Sequence, residues 1–181
     1  MIQFTSTGRT DVVGFACSEL AAPLPLCYPH TMERTLVLAK PDAVQRSLVG
    51  EIISRLEARG LRIAGLKVTQ MTTEQAQLHY QAHRDRPFFQ GLVDFISSGP
   101  LVAMVFEGNA AIAMVRRTMG ETAPADSAPG TIRGDLAIDI GRNLIHGSDS
   151  PEAAAQEIPI FFDPSDLVDY TRDIDSWITE F

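Results

Sequence analysis

Thiols, lysines and long apolar runs are all scarce in this 181-residue chain, and each shortage rules something out. The two cysteines, Cys17 and Cys27, both precede Met32, so the chain beyond that point cannot rest on a disulfide and suits a reducing compartment. No apolar run approaches the ~20 residues that a membrane-spanning helix needs, so a soluble protein is expected. The formal net charge of -8 is a poor match for coating nucleic acid or an anionic membrane. Among the fifteen Lys and Arg residues only Lys40 and Lys67 are lysine; the rest are arginine, whose forked donors suit phosphate. The usual phosphate-binding loops are missing too. Neither lysine follows a glycine, which removes G-x-x-x-x-G-K-[ST], and no two glycines stand in G-x-G spacing, which removes the dinucleotide fingerprint. Any polyanionic ligand must be met by a few locally placed cations.

Two partial motifs also fail. His83-Arg84-Asp85 spells the catalytic-loop tripeptide of protein kinases, but Gln90 stands where Asn is required and D-F-G is missing. His79 and His83 have the i, i+4 spacing of a zinc site, yet Tyr80 replaces the needed Glu, so they read as ordinary helix-surface histidines.

Residues 1–31 hold three prolines, one arginine and no sustained period, and read as a poorly ordered N-terminal extension to a domain over residues 32–181. A targeting peptide fits badly, because Arg9 stands alone and Asp11 and Glu19 interrupt the apolar residues. From Arg34 the patterning sharpens. R-T-L-V-L-A is a short buried strand ended by K-P-D; Val49, Ile52, Ile53 and Leu56 follow at helical spacing, with Gly60 at the helix C-terminus. Residues 61–68 make a second strand. Thr72 and Gln75 offer a capping box, and Arg86-Pro87 opens a helix carrying Phe88, Leu92, Phe95 and Ile96. P-L-V-A-M-V-F is the third strand, Asn109 caps a helix ending at Gly120, and a proline-containing loop leads to a last strand from Ile138 to Ile145. Ser150-Pro151 opens the final helix. Several connections are too short for parallel crossovers. The expected fold class is therefore α+β, a ferredoxin-like split βαβ with a four-stranded, mainly antiparallel sheet and helices packed on one face.

What the chain does contain is N-L-I-H-G-S-D-S, residues 143–150, with His146 inside it. Imidazole is in good part uncharged and nucleophilic at neutral pH. Attack on phosphorus needs a neighbour that fixes the ring, cations for the phosphoryl oxygens and room for in-line approach. Glu157, in the helix begun by Ser150, is a candidate to hold the ring. Lys40, Arg116 and Arg133 each border a turn where long cationic side chains can converge.

This octapeptide resembles the active-site signature of the nucleoside diphosphate kinase family. The resemblance runs through E-R-T-L-V-L-A-K-P-D-A-V-Q-R, H-Y-Q-A-H-R-D-R-P-F-F, S-G-P-L-V-A-M-V-F-E-G and P-A-D-S-A-P-G-T-I-R-G-D in the family's order, and covers residues 33–181. It implies an enzyme that passes the γ-phosphoryl group of a nucleoside triphosphate, mainly ATP, to nucleoside diphosphates. The route would be ping-pong through a phosphohistidine on His146, maintaining NTP and dNTP pools. Glu157 would orient the imidazole with Ser148 in support, and Lys40, Tyr80, Arg116, Thr122 and Arg133 would surround the phosphates. Asn143, with Lys40, would meet the ribose hydroxyls; Phe88 would stack on the base, with Leu92 and Ile140 lining its apolar slot. Mg2+ would come with the nucleotide, bound mainly through phosphates and water, with Asp149 as its protein-side helper. Judged by spacing alone, Phe88 and Leu92 would be core residues, and one of Arg116 and Arg117 merely solvated. Ala123 departs from the Asn that the family often has after Thr122, which loosens that turn without removing charge.

The same resemblance implies a homo-oligomer, a hexamer with a tetramer as the alternative, in which Trp177 is of a type that anchors interfaces. Membrane and nucleic acid are not expected partners, and the cytoplasm is the expected location, with organellar targeting through residues 1–31 left open. Two rival functions remain on this reading. One is a regulatory or nucleic-acid-binding protein on the same fold, which the acidic charge disfavours. The other is a histidine phosphocarrier that hands its phosphate to proteins, for which the base and phosphate residues would be superfluous.

Overall fold

The computed structural model describes residues 32–179, so the expected extension over residues 1–31 lies outside the described residues. In chain order the elements are β1 (Glu33–Ala39), α1 (Pro41–Gln45), α2 (Val49–Ala58), β2 (Arg62–Thr69), α3 (Thr73–His79), α4 (Phe89–Ser97), β3 (Leu101–Gly108), α5 (Ala111–Met119), α6 (Ile132–Leu136), β4 (Ile145–Gly147) and α7 (Pro151–Phe161). The strands form one sheet in the order β2-β3-β1-β4, and every neighbouring pair is antiparallel. This is the expected ferredoxin-like α+β arrangement.

The helices cover both faces of the sheet, which corrects the expectation of one. On one side Val37, Met104 and Phe106 pack with Ile52 and Leu56 of α2 and with Val115 and Met119 of α5. On the other, Leu36, Leu38, Ala103 and Val105 pack with Ala76 of α3, Val93 and Ile96 of α4 and Phe161 of α7. The reason is written in the strands. T-L-V-L-A and L-V-A-M-V-F are unbroken apolar runs, as strands buried on both faces require, and all eight residues of β3 are buried.

Local signals decide some helix starts. Thr72 and Gln75 form the reciprocal capping box of α3, and the Ser150 hydroxyl accepts the Ala153 N–H at 3.0 Å to start α7. Asn109 does not cap α5. Its N-cap is Ala110 at φ 50, and the free N–H of Ile112 is taken instead by the Glu33 carboxylate of β1 at 2.9 Å. A cap supplied from another element leaves no mark in local spacing.

The last strand is shorter than its apolar alternation suggested. Ile138 is 95% exposed and Ile140 61%, so that alternation faces solvent and makes only an isolated bridge, Asp139 with Arg142, outside the sheet. The unforeseen α6 begins instead where the Thr131 hydroxyl accepts the Gly134 N–H at 3.1 Å. What remains of the strand, Ile145–Gly147, pairs with Val37–Ala39 and sets His146 opposite Leu38 on the edge strand of the sheet. The chain after α7 is tied back by arginines: Arg62 bonds the Tyr170 carbonyl and the buried Glu107, while Arg172 bonds the Gly60 and Leu61 carbonyls at 2.7 and 3.1 Å.

Candidate active site

His146 sits on β4, half-buried, with its Nε2 3.1 Å from Oε2 of Glu157 on α7. The buried Ser148 hydroxyl donates to the same oxygen at 2.6 Å. Burial pushes the Glu157 carboxyl up, but the hydrogen bonds from His146 and Ser148 and the nearby imidazoles outweigh it and hold the carboxyl below its ordinary value. An ionised carboxylate only accepts, so Nε2 carries the proton and the lone pair of the neutral ring is on Nδ1. Helix α7 and strand β4 thus fix both the ring and its tautomer.

The cations arrive from separate elements. Lys40, at the start of α1, is 7% exposed and donates to Oδ1 of Asn143, whose amide nitrogen donates to the Thr122 carbonyl at 2.7 Å. Arg133, in the first turn of α6, is 4% exposed and bonds four main-chain carbonyls: Asn143 at 3.2 Å, Gly120 at 3.1 Å, Glu121 at 3.0 Å and Ile145 at 2.7 Å. Burial lowers its guanidinium to about 10, with Arg116 adding to the effect. Arg116, in the last turn of α5, is half-buried with Nη1 3.5 Å from the Gly147 carbonyl, whereas its twin Arg117 is exposed. Tyr80 caps the end of α3; burial raises its phenol first, and the charge of Glu157 second.

Between Asn143 and His146 the backbone is strained. Leu144 takes φ +68, a left-handed conformation costing ~1–2 kcal/mol for a side-chain-bearing residue. Its N–H is held by the Asp42 carboxylate at 3.0 Å and its carbonyl by the Lys40 N–H at 2.9 Å. The residue that turns the chain is therefore pinned by the same segment that supplies Lys40.

The residues expected at the base are less enclosed. Phe88 is 54% exposed just ahead of α4, Leu92 is half-buried one turn on, and Ile140 is exposed in the loop after α6. Phe95, on the Phe88–Leu92 face, lies under Arg142 at 4.0 Å and Lys40 at 5.3 Å, which joins that face to the Lys40–Asn143 pair. Thr122 and Asp149 are both exposed.

One residue was misjudged from spacing. His83 is on the surface as expected, but His79 is 8% exposed, with its ring edge-on to His146 at a centroid distance of 4.5 Å. Burial lowers its pKa to about 3, with repulsion from His146 adding. A faint signal existed: His79 shares the buried stripe of α3 with Ala76, at i, i+3. Asp42, Phe95 and Arg142 carried no signal that singled them out.

Lys40 yields a pH test with opposite signs for stability and binding. Burial lowers its pKa to about 8, below that of an unfolded lysine, so between pH 8 and ~10.4 the unfolded chain binds more protons. This group therefore makes the free protein more stable as pH rises through that window, and contributes nothing of the kind below it. If Lys40 meets phosphates, as the family resemblance implies, their charge favours the ammonium, and ADP affinity is expected to fall over the same window. Titration calorimetry with wild type and Lys40→Arg checks this: the variant should lose the break near pH 8, and an identical break in both would assign it elsewhere.

An imidazole hydrogen-bonded to a carboxylate, with arginine and lysine side chains bonded to the neighbouring backbone and to Asn143, is a set of groups suited to phosphoryl transfer. Comparison with known proteins narrows the class. Residues 33–167 match the family described as nucleoside diphosphate kinase. A curated nucleoside diphosphate kinase of a Synechococcus strain is 58% identical over 149 residues, covering 82% of this chain and 100% of that protein. One from Thermomicrobium roseum is 58% identical over 147 residues, covering 81% and 99%. Among solved structures, a halophilic nucleoside diphosphate kinase from Halobacterium salinarum in complex with CDP superposes with a TM-score of 0.80 at 52% identity, covering 82% of this chain and 99% of that one. The chain belongs to the nucleoside diphosphate kinase family and is an enzyme of that kind. Among the described residues no helix is long and apolar enough to cross a membrane.

Proposed function

We propose that this enzyme moves the γ-phosphoryl group of a nucleoside triphosphate, mainly ATP, to nucleoside diphosphates through a phosphohistidine on His146, and so maintains NTP and dNTP pools. One observation carries the reading: Glu157 engages Nε2 of His146 and leaves the Nδ1 lone pair free on a ring held in place. Nδ1 attacks the γ-phosphorus in line as the bond to the bridging oxygen breaks, and the diphosphate leaves with that electron pair. Glu157 balances the positive charge that develops on the ring. An acceptor diphosphate then forms a new P–O bond from its terminal oxygen as the N–P bond breaks.

In this scheme Lys40, Tyr80, Arg116, Thr122 and Arg133 surround the phosphates, and Asn143 with Lys40 meets the ribose hydroxyls. The proposed divalent ion is Mg2+, a hard cation that keeps oxygen ligands and water. The exposed carboxylate of Asp149 fits that preference. Bound to the phosphates, the ion would neutralise their charge. The catalytic domain is taken to span residues 32–181 and, on the cysteine usage, to work in the cytoplasm. A coupled assay with ATP and GDP tests the activity: GTP should form, and its failure to form would overturn the proposal.

Base tolerance should follow from the open site. Phe88, Leu92 and Ile140 offer stacking and apolar contact, worth ~1–3 kcal/mol per stacked base and nearly blind to base identity. GDP, ADP, CDP, UDP and their deoxy forms are all expected to serve, purines modestly better, and nucleotides without a 3′-hydroxyl much more slowly. Steady-state rates at fixed ATP decide it. A kcat/KM for one base exceeding the rest by about a thousandfold, ~4 kcal/mol, would require a polar base contact.

Assembly is proposed as a hexamer, with a tetramer as the alternative. Trp177 is 89% exposed and Val168 60%, and on the edge strand β2 Val68 is 67% exposed, an apolar surface that suits a second copy of the chain. Light scattering at working concentration should give a hexamer; a stable monomer would contradict it.

A further inference from the structure

His79, His146 and Glu157 converge from α3, β4 and α7, each offering one ligand-type atom, all within 4.8 Å of one another. His79 is 92% buried by its 8% exposure, stands at 75° to His146, and finds no hydrogen-bond partner for either ring nitrogen among the described residues. A buried polar group left unpaired costs stability. The phosphoryl-transfer scheme uses His146 and Glu157 but gives His79 no task.

We propose that these three side chains bind a transition-metal cation of the zinc class, and that its binding switches the nucleophile off. Two imidazoles and a carboxylate are a donor set for Zn2+, and for Cu2+ or Ni2+, rather than for Mg2+. Nε2 of His146 and Oε2 of Glu157 lie 3.1 Å apart, near the spacing of two donors on an ion with bonds of ~2.0–2.2 Å. The His79 donor, within 4.8 Å of the other two, would have to move closer to complete the set.

The switch follows from tautomerism and rests on the phosphohistidine reading. A neutral imidazole has one N–H and one lone pair. Without the metal, Nε2–H faces Glu157 and the lone pair is on Nδ1. A cation on Nε2 takes a lone pair there, so the proton moves to Nδ1, the nitrogen that would attack phosphorus. The ring neither gains nor loses a proton, and no electron is transferred.

The test titrates the nucleotide-free full chain with Zn2+ against a chromogenic chelator, wild type beside His79→Phe. Loss of one ligand should weaken the tightest zinc site at least about tenfold. Zinc at the wild-type saturating level should also suppress ATP-to-GDP transfer, and a zinc-selective chelator should restore it. Equal zinc affinity in the two proteins, as binding by Cys17 and Cys27 alone would give, overturns the site. Should His79→Phe fail to fold, a zinc-edge anomalous map from wild-type crystals replaces it: an ion between the three side chains supports the site, and an ion only elsewhere overturns it. Tight binding with unaffected transfer overturns the switch. Failure of the phosphohistidine reading shows separately, as no labelled His146 in the zinc-free enzyme given Mg2+ and labelled ATP.

Discussion

His146→Asn should lower transfer from ATP to any diphosphate by about 10^4-fold or more, because it removes the proposed covalent route itself and not an orienting contact. The fold should survive the change. β4 is joined to β1 through main-chain bonds opposite Leu38, and the His146 side chain is only half-buried, so the melting temperature should move by no more than a few degrees. His146→Ala gives the same kinetic result without an amide that can bond Glu157. Steady-state rates and thermal melts on the purified variants check both halves. Wild-type turnover in either variant would place the chemistry on another group.

The second large effect combines stability with activity. Arg133→Leu removes the partner of four carbonyls, at Gly120, Glu121, Asn143 and Ile145, which belong to the end of α5, the segment leading to β4, and β4 itself. Each acceptor left buried and unpaired costs ~1–3 kcal/mol. Water can reach the exposed Glu121 turn, so the total should be about 3–5 kcal/mol, among the largest single-residue effects that a domain shows. Transfer should fall as well, since the proposed phosphate contact would be lost and the loop carrying Asn143 loosens. Arg116→Leu is the control: its 3.5 Å contact to the Gly147 carbonyl is weak, so it should cost transfer with little change in melting. Denaturant titrations of the two variants separate these outcomes. An Arg133→Leu protein as stable as the wild type would mean that the guanidinium does not hold the loop together.

Several parts of this fold were readable from local pattern because local physics decides them. The capping box at Thr72, the Ser150 cap and the helical spacing from Val49 to Leu56 each involve residues within a few positions of one another. The features that escaped are tertiary. Glu33 caps α5 from the neighbouring strand β1, α6 replaces expected loop because Thr131 can close on Gly134, and the alternation around Ile138 points into solvent. At the site, His146, Glu157 and Ser148 stand in the sequence as a legible set and meet within hydrogen-bonding distance. His79 was not legible: a histidine on a helix has no pattern that tells a surface from a pocket wall, and here only the packing of α3 against β4 and α7 does so.

The covalent intermediate is the most direct point of decision. Zinc-free chain supplied with Mg2+ and γ-labelled ATP, but no acceptor, should take up label that is acid-labile and alkali-stable, maps to His146, and passes to GDP when GDP is added. Label that is absent, that is acid-stable, or that stays on the protein while GTP forms at the normal rate would contradict transfer through His146.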